Sequence, residues 1–289
     1  MVAFVAALLR LGKVCLLTSL VSFFIVLPVS ADVQRDDDVP ASVGVPTDAS
    51  SDNWSYSLGL GLAAVPDYEG SEDYKAAPLP IARVQKGYQY GQVFGSKLTS
   101  NLMPYPNFRL GLVVDYLSKR DDVKNNRVDK LKAVDAALML GGLVGYDLQL
   151  NRGTLGFEVE WTHDVIDGND GWLLQPEVRY QRELNKYWGL HLGSTLTYAS
   201  DNYMDSYFSI SPADSARSGL ATYNASSGIK DIGVDMALSH SITKHWTAGG
   251  LVAYKRLLND AADSPVTKVG DENQYVVGLF FTYAWQGGI

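Results

Sequence analysis

The chain has 289 residues, of which 46% are hydrophobic, 11% aromatic and 19% charged, so it is long enough for one large domain or two small ones and too apolar to be a disordered chain. Its 24 Lys and Arg residues are outnumbered by 32 Asp and Glu residues, which gives a formal net charge of −8. This acidic balance repels phosphate groups, so no nucleic-acid partner is expected.

The first 31 residues are predicted to be a secretory signal peptide. Arg10 and Lys13 precede an apolar run from residue 14 to 29, and Ala31 supplies the small residue of a cleavage site. A membrane anchor is the alternative, but polar residues and Pro28 interrupt a run that is short for a membrane span, which favours cleavage. The single cysteine, Cys15, would leave with the signal peptide, so the mature chain cannot depend on disulfides.

Residues 32–53 form the next predicted segment, a disordered periplasmic leader. The segment is rich in Asp, Ser, Pro and Val and has no periodicity, as expected for a chain that cannot build a core. A different pattern begins at residue 54 and continues to the end, so residues 54–289 are predicted to form one domain.

That domain is dominated by alternation. Between Phe108 and Tyr116, bulky apolar residues alternate with Arg109, Gly111, Val113 and Asp115, the period of a strand with one apolar face. On most such strands the second face carries Gly, Ser, Ala, Thr and scattered charges, whereas a soluble sandwich would place long polar side chains there. Small residues opposite bulky apolar ones favour a closed transmembrane barrel with a crowded polar interior, and a β-sandwich is the alternative.

The predicted fold is an all-β, antiparallel transmembrane β-barrel of about twelve strands. The segments lie near 54–64, 77–85, 88–95, 97–102, 106–118, 133–147, 153–163, 171–183, 187–198, 228–241, 246–257 and 273–285. Short turns alternate with mostly long connections, as in outer-membrane barrels whose termini face the periplasm. Ten strands would also be acceptable, because Pro78 and Pro80 favour an edge or a bend between residues 77 and 102.

Four separated segments carry a further signal. They are Pro66-Asp67-Tyr68-Glu69-Gly70-Ser71 with Tyr74 and Pro78-Leu79-Pro80, residues 197–204 with Tyr207-Phe208-Ser209-Ile210, residues 223–231, and residues 258–274 with Asp263-Ser264-Pro265. In this order they resemble the MipA/OmpV family of outer-membrane proteins over about residues 54–285. The motif positions are Pro66, Asp67, Tyr68, Gly70, Ser71, Tyr198, Ser200, Asp201, Tyr203, Tyr207, Phe208, Asp263, Ser264 and Pro265. One departure is the end of the chain, where Trp285 is followed by four non-aromatic residues instead of a terminal aromatic.

The resemblance implies a scaffold in the outer membrane, in contact with lipid and lipopolysaccharide. Its best-known member is thought to hold a membrane-bound lytic transglycosylase near a bifunctional penicillin-binding protein during murein (peptidoglycan) growth. A scaffold of this kind would have to use the periplasmic turns and the leader, because only these face the cell wall. A small-solute, porin-like channel is the alternative function.

An enzyme is not expected. His163 and His240 fall on the lipid-facing register, His245 lies on a turn, and His191 points inward without a serine on its face. His163 beside Asp164 is the one pairing worth a test, and a hydrogen bond at the rim is its plainer explanation. No His or carboxylate cluster has metal-ligand spacing. The carboxylates of the loops could bind Ca²⁺, but exposure to solvent explains them equally well. Neither a metal nor a cofactor is therefore expected.

A set of charged residues takes the inward register and is predicted to form a structural network in the lumen. The set is Arg109, Asp115, Asp135, Glu158, Glu160, Glu177, Arg179, Asp231, Asp235 and Lys255. Opposite charges inside a barrel can pair and fill it. A plugged interior that stabilises the closed sheet is therefore favoured over an open aqueous pore.

Overall fold

A computed structural model describes residues 53–287 of the chain. The predicted signal peptide and all of the predicted leader except Asn53 lie outside the described residues. Twelve antiparallel strands form a closed barrel in which each strand pairs with its sequence neighbours and β1 pairs with β12. The predicted barrel and its count of twelve strands are confirmed, and the β-sandwich alternative is wrong.

The strands agree closely with the predicted segments. They are β1 Trp54–Pro66, β2 Tyr74–Lys86, β3 Gln89–Phe94, β4 Lys97–Asn101, β5 Phe108–Leu117, β6 Ala137–Leu150, β7 Gly153–Asp164, β8 Trp172–Asn185, β9 Trp188–Ala199, β10 Gly228–Ser241, β11 Trp246–Leu257 and β12 Asn273–Gly287. The last strand continues past Trp285 through Gln286 and Gly287, which pair with β1. These two residues thus belong to the closing seam of the barrel.

The outer surface of the barrel is apolar. Leu60, Leu62 and Leu279 expose 65%, 67% and 68% of their surface, and outward residues of other strands are similarly exposed. Soluble proteins rarely expose contiguous apolar surface on this scale, whereas a barrel in a bilayer requires it. The alternation in the sequence therefore sorts bulky apolar side chains to lipid.

Small residues inside the barrel permit close approach of neighbouring groups. A Cβ atom at Gly141 would lie 1.8 Å from the carbonyl oxygen of Trp161, and one at Gly249 would lie 2.2 Å from the ring of Phe280. Inward glycines therefore serve strand pairing and the packing of the few large inward side chains.

The two ends of the barrel differ. At one end, which we call the turn end, short connections join the strands, at residues 87–88, 102–107, 151–152, 186–187 and 242–245. At the other end, which we call the loop end, the connections form a packed layer that we call the cap. The cap consists of residues 67–73, 118–136, 165–171, 200–227 and 258–272. Outer-membrane barrels place short turns in the periplasm and long loops outside.

The cap contains four short helices that were not predicted: α1 Asp201–Phe208, α2 Pro212–Ser218, α3 Asn259–Asp263 and α4 Pro265–Lys268. The α1 helix begins because the Ser200 side chain accepts a hydrogen bond from the Tyr203 backbone N–H and Asp201 favours the first turn. Its Tyr203, Met204, Tyr207 and Phe208 are buried. Among the described residues, no helix has the length and apolar character needed to cross a membrane.

The cap has its own hydrophobic core. Phe208, Leu257 and Val266 have no exposed surface, and they belong to two clusters that join several loops. Burial of this kind stabilises each loop through its neighbours, because no single loop could bury these side chains alone. The loop end of the barrel is thus covered by packed protein.

Candidate functional site

The family-like motifs meet in the cap. Although they are separated in sequence, the structure brings the segments around residues 66–71, 200–208 and 263–265 into contact. The Tyr203 hydroxyl donates to Glu69 Oε2 at 3.0 Å, and the Ser264 hydroxyl donates to the carbonyl oxygen of Phe208 at 2.6 Å. Gly70 has a φ of +95°, and a Cβ atom there would lie 2.8 Å from the Thr267 hydroxyl.

At the base of the cap lies a charge cluster, which we call the cap-base cluster and which is buried except at Lys255: Glu69, Tyr203, Lys230, Asp231 and Lys255. Glu69 Oε1 accepts hydrogen bonds from Lys230 and from Lys255, the latter at 2.9 Å. Lys230 also pairs with Asp231 at 2.7 Å. Since Lys230 and Asp231 are only 3% and 2% exposed, each charge depends on its partners within the cluster.

A β-bulge places two consecutive residues in this cluster. The pairing of β9 with β10 shifts register between Ile229 and Asp231, so Lys230 is the extra residue. In a regular strand the side chain beside an inward Asp231 would face lipid, but the bulge turns both Lys230 and Asp231 inward. Lys230 was therefore missed by an alternation argument that assigned Asp231 to the inward face.

The charges and the burial of the cluster determine the protonation states of Glu69 and Tyr203. Burial would raise the pKa of the Glu69 carboxyl, but Lys230 and Lys255 outweigh burial and hold that pKa well below its usual range. Burial, together with the neighbouring Glu69 carboxylate, raises the pKa of the Tyr203 phenol. Glu69 is thus ionised and Tyr203 is neutral at physiological pH.

The cap is expected to lose stability only in strong acid. Because the folded pKa of Glu69 is depressed, its stabilisation is complete above about pH 4.3, the ordinary pKa of a glutamate, and is lost as pH falls from there through the folded pKa. Lys230, Lys255, Asp231 and Tyr203 face this carboxyl. Protease resistance of the cap, measured from pH 7 to pH 2, is expected to fall below about pH 4. A cap that loosens between pH 7 and pH 5 would contradict this explanation.

The other motif side chains mainly organise loop backbone. Asp67 accepts from the Lys124 N–H at 2.9 Å, and Asp201 accepts from the Ser227 N–H at 2.6 Å. Ser71 accepts from the Asp73 N–H at 3.0 Å. Each bond fixes a cap segment that has no strand partner.

The remaining motif positions lie at element ends or in ring contacts. Pro66 ends β1, and Pro265 begins α4 after its N-cap, Ser264. The ring of Tyr207 stacks on Tyr203 at 4.5 Å, and that of Tyr198 stacks on the outward Trp172 at 5.6 Å. Tyr68 and Phe208 are buried in the cap clusters, and Asp263 pairs with Lys268 at 3.2 Å near the surface.

A second charge cluster lies inside the barrel. Arg109 pairs with Glu158 and, through Nε, with Asp147 at 3.1 Å. Arg179 reaches the same two carboxylates at 3.4 Å and 2.7 Å. We call these four residues the lumen network; Arg109 and Glu158 are 6% and 7% exposed. Asp147 was absent from the predicted set, although its inward register could have identified it.

Most of the other predicted lumen residues also point inward, but they are spread along the wall. Asp115 accepts from the Ser96 hydroxyl at 2.8 Å, and Asp235 pairs with His191 at 3.1 Å. Glu160 pairs with Lys97, which the sequence analysis did not include, and Glu177 lies opposite Glu158 on the neighbouring strand. Asp231 and Lys255 belong to the cap-base cluster instead.

The placement of Asp135 in the lumen is wrong. The bridge between Arg120 and Val134 extends the preceding loop, and β6 begins only at Ala137. Asp135 therefore lies in the cap with an exposed side chain.

Arg83 is a lumen cation with a different environment. Its guanidinium donates to Gln85 and Gln92, the latter at 2.6 Å, and lies 4.0 Å from the ring centroid of Tyr90. No carboxylate within residues 53–287 forms an ion pair with it. Arg83 could therefore attract a small anion, a property that the carboxylate-paired Arg109 lacks.

The contact between His163 and Asp164 involves the backbone of Asp164 and not its carboxylate. His163 Nδ1 contacts the backbone oxygen of Asp164, whose carboxylate instead accepts N–H groups of the following loop, including that of Asn169 at 2.7 Å. His163 and His240 pack against the outward Trp161 and Trp188. In the described part of the chain, no group of three or more His, Cys, Asp or Glu residues could hold a metal ion.

The chain is similar in sequence to known proteins. The family model described as "MltA-interacting protein MipA" matches residues 58–285. Two Escherichia coli proteins, from strain K12 and from O157:H7, both described as "Putative outer membrane protein YiaT", are 24% identical over 251 residues, which is 85% of this chain and 98% of each relative.

Two solved structures are similar to this chain at low sequence identity. The NanC porin aligns with a TM-score of 0.44 and 8% identity, covering 78% of this chain and 98% of that one. The COG4313 outer membrane channel of Pseudomonas putida F1 aligns with a TM-score of 0.42 and 11% identity, covering 88% and 100% of the two chains.

Proposed function

This chain belongs to the MipA family and forms a twelve-stranded barrel in the outer membrane, and from that premise we propose that it is a scaffold. It would hold a lytic transglycosylase at the periplasmic face of the outer membrane, close to a penicillin-binding protein and to murein synthesis. The name of the family refers to interaction with MltA. The observation that carries the proposal for this chain is that the barrel is filled and covered, not open.

Two features argue against a wide pore. The cap covers the loop end with a hydrophobic core, and its base is tied to the wall by Glu69, Lys230 and Lys255. Further down, two arginines and two carboxylates of the lumen network occupy the interior. A barrel filled in this way has no wide channel for solutes, and its turn end remains as a surface that a periplasmic partner could contact.

The turn at residues 102–107 is the best candidate for a partner contact. It is the longest connection at the turn end, and Leu102 and Tyr105 are 49% and 60% exposed. Asn101 and Asn107 hold its backbone by donating to the carbonyl oxygens of Tyr88 and Asp147, both at 2.7 Å. An exposed tyrosine on a rigid turn is a favourable anchor in a protein interface.

Tyr105→Ser is therefore expected to weaken capture of a purified lytic transglycosylase by the immobilised barrel in detergent by about tenfold, as loss of an aromatic anchor does. Tyr187→Ser is the matched control, because Tyr187 is 48% exposed on another short turn. Equal capture by both variants would reject this turn as the contact. Failure of the unmodified barrel to bind the enzyme would reject the scaffold itself.

A small-solute channel is the second candidate, and Arg83 is the observation that favours it. A lumen cation without a carboxylate partner among the described residues is suited to passing anions. The purified protein in a planar bilayer distinguishes the two functions. The scaffold predicts no steady current, whereas an ohmic, anion-selective current that Arg83→Gln reduces would establish a channel.

A further inference from the structure

One part of the barrel wall is too short to cross a membrane. Strands β3 and β4 have 6 and 5 residues, whereas the other ten strands have 10 to 15. A transmembrane strand needs about 9–11 residues to cross the hydrocarbon core. The hairpin of β3 and β4 therefore leaves the wall incomplete where it passes through the bilayer.

The missing part is a notch above the tip of this hairpin. The Gly95 N–H donates to the carbonyl oxygen of Pro80 at 2.9 Å, which places the tip beside Pro80. From there β2 continues six residues to Tyr74, about 20 Å of strand, with no pairing to β3. On the other side the tip reaches Tyr116 of β5, whose N–H donates to Ser96 at 3.3 Å. The notch is thus deep along β2 and shallow along β5.

The notch lies at the level of lipid tails. Tyr74 accepts a hydrogen bond from the Tyr275 N–H at 3.3 Å, and the Tyr275 ring lies 5.2 Å from that of Tyr254. Outward tyrosines near strand ends mark the interface of a barrel with the lipid headgroups. Lys124 of the cap donates to the carbonyl oxygen of Tyr74 at 2.6 Å and so closes the notch from above. The opening below Tyr74 faces hydrocarbon.

Two positions on the free edge of β2 are adapted to hydrocarbon. Since the carbonyl group of Pro80 faces the hairpin tip, its nitrogen faces the same side, as does that of Pro78 two residues away. Neither nitrogen carries a hydrogen, so these two positions leave no unpaired donor in a medium that cannot satisfy one. The same prolines prevent another strand from pairing with this edge.

An apolar patch lines the inner wall next to the notch, whereas the wall around the lumen network is charged. The patch consists of Leu79, Ile81, Phe94, Leu251 and Phe280. Leu79, Ile81 and Phe280 are buried against these neighbours, so a group that enters has to part the side chains of the patch. The rings of Phe94 and Phe280 meet edge to face at 6.3 Å. The Leu79 side chain lies 3.4 Å from the position that a Cβ atom of Gly95 would take, so the patch begins at the hairpin tip itself.

We propose that the notch is a lateral entrance through which one acyl chain from the outer leaflet of the membrane reaches this apolar patch. The outer surface beside the notch contacts lipid tails. Leu62 and Leu60 of β1, which pair with Pro78 and Pro80, are 67% and 65% exposed there. The apolar patch suits a hydrocarbon chain, and the prolines exclude a strand. The chain belongs to a membrane lipid or to a free fatty acid, which share this chemistry.

Three positions provide the test. Ala77 points inward beside the notch, Thr195 points inward on β9, which pairs with none of the strands that carry the patch, and Ala64 is exposed on the lipid side of β1. Because the chain has a single cysteine, Cys15, in the predicted signal peptide, each of the variants Ala77→Cys, Thr195→Cys and Ala64→Cys of the signal-less protein takes one bimane label. Bromine atoms on acyl chains quench bimane only at close range. Heat-modifiable migration in electrophoresis shows that each variant is folded.

In liposomes of dibrominated phosphatidylcholine, the label at Ala77 is expected to be quenched at least about twice as strongly as the label at Thr195, and nearly as strongly as that at Ala64. A second arm adds dibrominated stearic acid to unbrominated liposomes. Saturable quenching at Ala77 in this arm assigns the site to a free fatty acid, and quenching only in the first arm assigns it to a lipid tail. Leu79→Asn should weaken the quenching at Ala77 by at least half. If the Ala77 label is quenched no more strongly than the Thr195 label in both arms, the wall is closed and the proposal fails.

Discussion

Glu69→Gln is expected to loosen the cap while the barrel stays closed. The substitution removes one of the two carboxylates that face Lys230 and Lys255, and Lys230 is only 3% exposed. Breaking a buried ion pair by removing one partner destabilises by about 3–5 kcal/mol. The strands do not depend on Glu69 for their pairing, so the loss should fall on the cap.

Limited proteolysis of the protein in detergent measures this effect. Cleavage within residues 200–227 is expected to be at least about a hundredfold faster in Glu69→Gln, because local cleavage follows the population of the open form. Glu72→Gln is the control, since Glu72 belongs to the same loop but is exposed. Equal cleavage rates in the two variants would show that the cap-base cluster does not hold the cap.

Arg109→Met is expected to lower the free energy of unfolding of the whole barrel by about 3–5 kcal/mol. Methionine keeps much of the side-chain length but leaves Asp147 and Glu158 with Arg179 as their only cation in the lumen network. Both carboxylates are poorly exposed, at 14% and 6% of their side-chain surface. Water therefore compensates the lost charge only weakly.

Urea unfolding in lipid vesicles, followed by tryptophan fluorescence, tests this prediction. Arg152→Met is the matched control, because the Arg152 side chain is exposed on the turn at residues 151–152, and it should change the free energy of unfolding by less than about 0.5 kcal/mol. If Arg109→Met is as stable as the control, the lumen network does not stabilise the sheet.

The strands were predictable because a barrel wall obeys one local rule. Alternation of bulky and small residues encodes the two faces of each strand, and it located even β3 and β4. Pro78 and Pro80 were interpreted as signs of an edge or a bend. They do lie in a paired strand, but at the part of β2 whose other side has no strand partner and meets only the hairpin tip at Pro80.

The cap was less predictable, for two different reasons. The α1 helix has a readable signal, since Ser200 and Asp201 precede apolar residues at helical spacing, although the sequence analysis predicts only a long connection there. The partners of Glu69 had no such signal. Lys230 and Lys255 are 161 and 186 residues away in sequence, and only barrel closure brings them together, with a bulge turning Lys230 inward.

The long sequence separations within the cap-base cluster also set an order of events during assembly. Glu69 follows the first strand, whereas Lys230 and Lys255 belong to the tenth and eleventh. While the sheet is still an open ribbon, these groups lie at its opposite margins, and they meet only after β1 has joined β12. The cap therefore matures last. In a barrel that stays on the assembly machinery before β1 has paired with β12, the loops of the cap would not be held together and would be open to proteolysis. Proteases outside the membrane would therefore cleave incompletely assembled barrels and spare closed ones.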